Sequence, residues 1–289
     1  MVKKLFKHEI LYYARTFGLF LPLVVLFGIM TKVSFLFGSD ETIVQLGLLT
    51  RLSFLFDGDK SIAELAQYVS ATLLYLSCLA LLIMSFFMSI VRFYKNMYTA
   101  EGYLTFTLPV TNAQHIFVKL ISAFLTQVVC AVTVVLAVFI ATFGDTLVEL
   151  FTAFYELIGI AKDSIGIGNL IGFSVEVILL TIITPIFAML LAYACVTVGQ
   201  LAKKNRIVMA VVAYIVYYIA TQIISTIFTA IVMILGGAGA FDGLLEWASN
   251  HTITALHMLF CIAIVFTAGI AAVFWTVTQK IMSKKLNLE

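Results

Sequence analysis

The stretch that decides the fold is LAQYVSATLLYLSCLALLIMSFFMSIV, from Leu65 to Val91, which contains no Asp, Glu, Lys, Arg or His. An α-helix rises about 1.5 Å per residue, so about 20 apolar residues cross a hydrocarbon core of about 30 Å. In lipid a helix is favoured because it pairs its backbone N–H and C=O groups internally. The stretch therefore predicts a membrane-spanning helix.

Five further apolar stretches have the same character, and the composition agrees with them. Of the 289 residues, 63% are hydrophobic and 11% are charged, which is too little polar surface for a water-facing exterior. We therefore expect an all-α integral membrane protein with six transmembrane helices, forming one transmembrane domain over residues 1–289. The predicted spans are residues 17–38, 65–91, 116–142, 170–200, 207–235 and 254–277.

The segments between these spans alternate in charge. With six crossings, 13 of the 17 Lys and Arg residues fall on the side of the amino terminus, and 12 of the 15 acidic residues fall on or near the other side. Short loops rich in Lys and Arg stay in the cytoplasm, so both termini are predicted to be cytoplasmic. We expect short helices in the outer segments 39–64 and 143–169.

The opening segment VKKLFKHEILYYARTF has apolar residues at helical spacing, with the basic residues mostly on other faces. This pattern predicts an amphipathic helix over residues 1–16 that lies along the cytoplasmic leaflet before the first span. An extension of the first span into the cytoplasm is the alternative interpretation. The apolar residues of this face are Val2, Phe6, Ile10, Tyr13 and Phe17.

Signatures of catalysis are missing from the sequence. It contains no G-x-x-x-x-G-K-[ST] phosphate loop, no H-E-x-x-H and no G-x-S-x-G, so we expect no catalytic residue, no metal site and no cofactor bound by this chain. His257 and Cys261 lie one helical turn apart, but two ligands make no metal site, and we expect a polar helix contact there. The few ionisable residues in the predicted spans, Lys32, Glu176 and His257, all lie near the outer ends. This placement argues against coupling to an ion gradient.

One face of the fifth predicted span is polar and aromatic for most of its length. Residues of this kind line a pathway through the membrane in some proteins and pack helices together in others, and both interpretations remain open. The residues are Tyr214, Tyr218, Thr221, Gln222, Ser225 and Thr229.

The predicted cytoplasmic loop over residues 92–115, RFYKNMYTAEGYLTFTLPVTNAQH, is much longer than the other inner loop, LAKKNR. Pro109 interrupts it, and Thr111 with Gln114 forms a capping box that predicts the start of the third span's helix. A short helix followed by a proline turn, both displayed to the cytoplasm, is typical of a surface that docks a partner protein.

This loop resembles that of the membrane subunits of ABC-2-type transporters, in which a Glu-Gly pair precedes aliphatic residues, a Leu and Pro-Val-Ser, and an apolar-x-Lys-Leu pattern opens the next helix. Here Thr111 replaces the common Ser, and the interval from Gly102 to Pro109 is shorter than in many members. The opening also resembles small permeases of Gram-positive bacteria at Lys7, Glu9, Arg15 and Pro22. The matching loop positions are Glu101, Gly102, Leu104, Leu108, Pro109, Val110, Thr111, Lys119 and Leu120.

The resemblance implies an exporter-like permease in a bacterial cytoplasmic membrane, paired with an identical or different second permease. It also implies a separate ATP-binding subunit that holds ATP and Mg²⁺ and contacts the cytoplasmic loop and the entry helix. The residues implied for ATPase coupling are Arg92, Tyr94, Lys95, Glu101, Gly102, Tyr103 and Pro109. Spans two and five would border the translocation route, through Tyr68, Thr72, Tyr75, Tyr218, Gln222 and Ser225.

On this interpretation, the expected function is ATP-driven export of an amphipathic substrate, namely a peptide, a lipid or a drug. Membrane lipid is an expected partner and nucleic acid is not. Two other functions remain open. One is a carrier or channel that works without ATP, and the other is a scaffold or sensor that transports nothing and binds a cytoplasmic partner.

Overall fold

The computed structural model describes residues 2–37, 62–99, 101–102, 107, 109–202 and 204–284. Within these ranges every regular element is a helix. The helices are α1 (Val2–Phe17), α2 (Phe20–Phe37), α3 (Ile62–Tyr98), α4 (Asn112–Ala141), α5 (Asp145–Ile165), α6 (Ile167–Gly199), α7 (Arg206–Gly237), α8 (Asp242–Asn250) and α9 (Thr252–Lys284).

Five of these helices, α3, α4, α6, α7 and α9, are long and apolar enough to cross a membrane. Helices α1 and α2 pass the same test together but are bent by 40° at Gly18 and Leu19, so the count reaches six if they form one span. Over the described residues the all-α fold class is thus confirmed, the five long apolar helices agree with a multi-pass membrane protein, and the sixth span stays a prediction. Helix α5 agrees with the helix expected in the predicted outer segment 143–169. In the other predicted outer segment, 39–64, residues 39–61 lie outside the described residues.

Helix α1 is separated from α2 by the turn at Gly18, as expected for a distinct entry helix. Its buried residues are Glu9, Tyr13 and Phe17, which lie on one face because they are four residues apart. Ile10, predicted on the apolar face that lies on the membrane, is 38% exposed, and the stripe that packs against the rest of the chain runs through position 9. The position of α1 relative to the membrane surface stays a prediction.

The chain divides into two compact units. The first unit comprises residues 3–88 and 121–156, and its core joins α1, α2, α3 and α4. A Cβ added at Gly28 of α2 would lie 2.6 Å from the carbonyl oxygen of Ala137 of α4, so glycine permits the close approach of these helices. The buried core of this first unit consists of Tyr13, Phe17, Val24, Leu74, Cys78, Leu81, Cys130 and Ala137.

The second unit comprises residues 1–2, 89–120 and 157–289. Helix α6 packs on both α7 and α9, and its consecutive residues from Met189 to Thr197 are all buried. A Cβ at Gly199 would lie 2.6 Å from the backbone N of Ala210 in α7, so the two helices approach closely there. Along all of its described length, α7 itself contains no buried residue.

Candidate coupling surface and polar sites in the membrane helices

Helix α3 extends further at its C-terminal end than predicted. Arg92, Tyr94 and Lys95 were expected in the loop, but α3 continues to Tyr98 and α4 begins at Asn112. The segment lacks Gly and Pro, and Phe93 and Met97, which are four residues apart, are both 0% exposed. A helix that buries one face in this way continues until a breaker occurs. The segment between α3 and α4 is thus shorter than predicted, and three of the predicted coupling residues lie on the last turns of α3.

Two contacts attach this end of α3 to α6. The Phe93 ring stacks on the ring of Tyr193, with centroids 4.0 Å apart and planes at 12°, and the Tyr98 hydroxyl lies 2.8 Å from the Thr197 hydroxyl. Phe93, Tyr193 and Thr197 are all 0% exposed. Aromatic pairs contribute about 0.5–1.5 kcal/mol beyond their burial, and a helix–helix hydrogen bond in a membrane contributes about 0.6 kcal/mol on average. The end of α3 is therefore fixed to α6.

Beyond this attachment the chain turns, and several predicted coupling residues are exposed. The Gly102 N–H donates to the Thr99 carbonyl at 2.7 Å, and Arg92 Nη1 lies 3.5 Å from Glu101 Oε2. The Glu101 side chain is 57% exposed, so this ion pair adds at most about 1 kcal/mol of stability. Lys95, Glu101 and Pro109 are exposed, Arg92 and Tyr94 are partly buried, Gly102 is buried, and Tyr103 lies outside the described residues.

The capping box predicted before α4 is confirmed. The Thr111 N–H donates to Gln114 Oε1 at 3.2 Å, and the Gln114 N–H lies 3.4 Å from Thr111 Oγ1. In the first turns that follow, His115 is 0% exposed and Lys119 is 2% exposed. Charged side chains are rarely buried unless polar groups satisfy them. The start of α4 is consequently a fixed part of the protein, and the exposed Glu101 and Pro109 of the predicted coupling residues precede it.

The three pathway residues predicted on α3 lie in the first unit and differ in environment. Tyr68 is 9% exposed, and the Thr72 hydroxyl donates to the Tyr68 carbonyl at 2.7 Å within the helix. Tyr75 is 43% exposed and lines a cavity of about 540 Å³ between α2, α3, α4 and the start of α5. Tyr75 is therefore the predicted pathway residue that lines this cavity.

The three pathway residues predicted on α7 lie in the second unit, on one face of the helix. Tyr218, Gln222 and Ser225 are all exposed, and Gln222 Nε2 donates to the Tyr218 hydroxyl oxygen at 3.2 Å. They form a polar stripe, as the sequence predicted. The two sets of pathway residues belong to different compact units, and a shared route between them stays a prediction.

A polar cluster between α6 and α9 was missed as a site. His257 Nδ1 lies 2.7 Å from Glu176 Oε1, and the ring of Phe173 stacks on His257 with centroids 3.9 Å apart and planes at 8°. The Cys261 thiol is 3.9 Å from the same carboxylate oxygen. The side chains of Glu176 and His257 are 13% and 23% exposed. The polar helix contact predicted for His257 is present, and Glu176 is its partner.

Sequence patterns gave no reason to pair these two residues, because they are 81 positions apart in the chain. An ionisable residue inside a membrane span marks a candidate functional site by default, and that rule would have selected both.

Comparisons of this chain with protein-family models, with curated proteins and with solved structures found no match.

Proposed function

We propose that the protein is the membrane subunit of an ABC-2-type transporter, and that it exports an amphipathic substrate across a bacterial cytoplasmic membrane. The observation that best supports this is the attachment of the α3 end to α6 through Phe93–Tyr193 and Tyr98–Thr197. The turn that follows exposes Glu101 and Pro109. A docking surface that receives force from a partner has to be joined rigidly to the helices it moves.

In the proposed mechanism, a separate ATP-binding subunit binds the segment between α3 and α4, residues 99–111, which we call the α3–α4 turn. That subunit supplies ATP and Mg²⁺. When that subunit closes on ATP, the turn is displaced, and the end of α3 moves with α6 as one rigid body. Helices α7 and α9 follow because both pack on α6. The exposed Tyr218, Gln222 and Ser225 stripe of α7 would then change its neighbours, which we propose include a second permease subunit and the substrate.

The coupling surface is tested by the double variant Glu101→Ala, Tyr103→Ala in the full chain, produced with its native partners. We expect this variant to lose copurification of a Walker-containing protein, or to lose ATP-dependent transport while the complex stays intact. The matched control is Tyr155→Ala, Glu156→Ala, which removes the same residue types from exposed positions of α5. Unchanged assembly and transport in the first double variant would contradict the assignment.

The side of the membrane gives an independent test. In a chain whose four native cysteines are replaced, the Glu101→Cys variant should react with an impermeant thiol reagent only after the membrane is opened. The reason is that the proposal places this turn in the cytoplasm. Labelling in intact cells would exclude an ATPase docking surface at this position.

The contact between Glu176 and His257 supports one alternative, a carrier that works on an ion gradient without ATP, because such carriers use ionisable residues within their spans. The position of both residues near the predicted outer ends of their spans opposes it. That function predicts transport by the purified chain alone, driven by a gradient and abolished by Glu176→Gln. A scaffold or sensor predicts no flux under either condition, so a flux assay with and without ATP separates the three functions.

A further inference from the structure

The cavity of the first unit has a polar end and an apolar end. Its volume of about 540 Å³ falls within the range of about 300–1,000 Å³ typical of ligand sites. At one end lie Lys32 of α2, Thr142 after α4 and Thr146 of α5, and at the other lie Leu82 of α3 and Val134 of α4. Such an arrangement suits a ligand with a charged head and an apolar tail.

The position of Lys32 is fixed by two contacts. The hydroxyl of its neighbour Thr31 donates to the Ser70 carbonyl at 3.1 Å, which places this part of α2 beside the start of the α3 wall. The Lys32 ammonium donates to the carbonyl of Phe143, in the turn that joins α4 to α5. An ammonium has three donors, so a further acceptor can bind at the same end of the cavity.

The length of the cavity matches one leaflet of a bilayer. Along α3 its lining runs from Ala71 to Leu82, and at about 1.5 Å per residue these two positions are about 16 Å apart. One leaflet contributes about half of a hydrocarbon core of about 30 Å. The polar end lies at the α4–α5 turn, where a bilayer surface would be, and the apolar end lies one leaflet deeper.

A phospholipid fits this shape because its acyl chain matches the apolar end of the cavity and its phosphate matches the polar end. Apolar cavities of proteins bind apolar molecules and stay free of water, and acyl chains are what surrounds a membrane helix. Lys32 complements a phosphate, and a headgroup with no cation of its own gains most from the contact. Charge and length together therefore select an anionic phospholipid.

We propose that this cavity binds one acyl chain of an anionic phospholipid, such as phosphatidylglycerol, from the leaflet at the α4–α5 turn, with the phosphate held by Lys32. The site goes beyond the proposed function and does not depend on it. It would be occupied whether or not an ATP-binding subunit is attached.

The test uses the purified full chain in lipid nanodiscs with trace phosphatidylglycerol that carries a photoreactive diazirine on its acyl chain. Mass spectrometry of the digested protein should locate the label on α3 between Ala71 and Leu82. Unlabelled phosphatidylglycerol should compete with the probe, and phosphatidylcholine should compete at least about tenfold less well, because the choline cation offsets the phosphate charge that Lys32 attracts. Labelling spread evenly over the exposed faces of all helices would overturn the proposal.

Two pairs of variants separate a specific site from general lipid contact. Lys32→Gln should weaken competition by phosphatidylglycerol about tenfold, whereas Lys162→Gln, at an exposed position of α5, should leave it unchanged.

Val138→Trp should block labelling because Val138 lines the cavity. Its control, Val135→Trp, alters a residue of the same helix that is 66% exposed. If Val138→Trp does not fold, Leu79→Trp fills the same cavity. Full labelling in Lys32→Gln, or in a folded filled variant, would refute the site.

Discussion

Replacing Gly172 of α6 by Ala should lower stability relative to the same replacement at Gly168, one turn earlier. A Cβ at Gly172 would lie 2.8 Å from Cε1 of His257. That ring cannot move freely, because it stacks on Phe173 and is hydrogen-bonded to Glu176. At Gly168 no described atom lies within 4 Å of the added carbon.

The magnitude follows from two opposing effects. Ala is preferred to Gly inside a helix by up to about 1 kcal/mol, and this gain applies to Gly168→Ala and, at least equally, to Gly172→Ala. Extra carbon in a packed site costs about 1–3 kcal/mol, and this cost applies at Gly172 alone. We therefore expect Gly168→Ala to be neutral or stabilising, and Gly172→Ala to be less stable than Gly168→Ala by about 1–3 kcal/mol.

The assay is reversible unfolding in mixed micelles, with the free energy of unfolding compared between the two variants. In a His257→Ala background the ring is absent, so the difference between the two glycine variants should fall to within about 0.5 kcal/mol. Equal stabilities in the wild-type background, or a difference that persists without the ring, would show that α6 and α9 do not pack as described.

Three further predictions concern contacts at other helix ends and crossings. Gly28→Ala should destabilise the protein by about 1–3 kcal/mol, measured by thermal unfolding, because its Cβ would lie 2.6 Å from the Ala137 carbonyl oxygen. Thr111→Ala should cost about 1 kcal/mol by loss of the α4 cap, and Thr111→Ser should recover most of it in the same unfolding assay. Tyr98→Phe should cost about 1 kcal/mol, because the hydrogen bond to Thr197 is lost, and hydrogen exchange near the α3 end should rise.

Local features of the sequence predicted the helices well and their ends less well. The second predicted span, 65–91, lies within the observed Ile62–Tyr98, because hydropathy detects the apolar middle of a helix. It does not detect the last turns, where Arg92 and Lys95 alternate with the buried Phe93 and Met97. Helix periodicity through these residues, read together with the absence of Gly and Pro, would have extended the helix.

The candidate sites divide in the same way. The capping box was predictable because its two residues are three positions apart and interact within one turn. The Glu176–His257 contact joins residues 81 positions apart, and it depends on the packing of α6 against α9. Helix packing in lipid has no strong hydrophobic signal to guide a prediction, since lipid is as apolar as the helix surface.

The packing of the second unit bears on the proposed mechanism, because it is uneven. The end of α3 is fixed to α6 by stacked rings and a buried hydrogen bond, whereas α7 has no buried residue along its described length. A cavity of about 420 Å³, lined by Cys195, Tyr217 and Phe274, lies between α6, α7 and α9. Elements with few buried contacts are the ones that move at least cost. In the proposed transporter, force applied between α3 and α4 would therefore reach α6 with little loss. Helix α7, which packs on α6 but buries no residue, would follow α6 and change its neighbours on its exposed side.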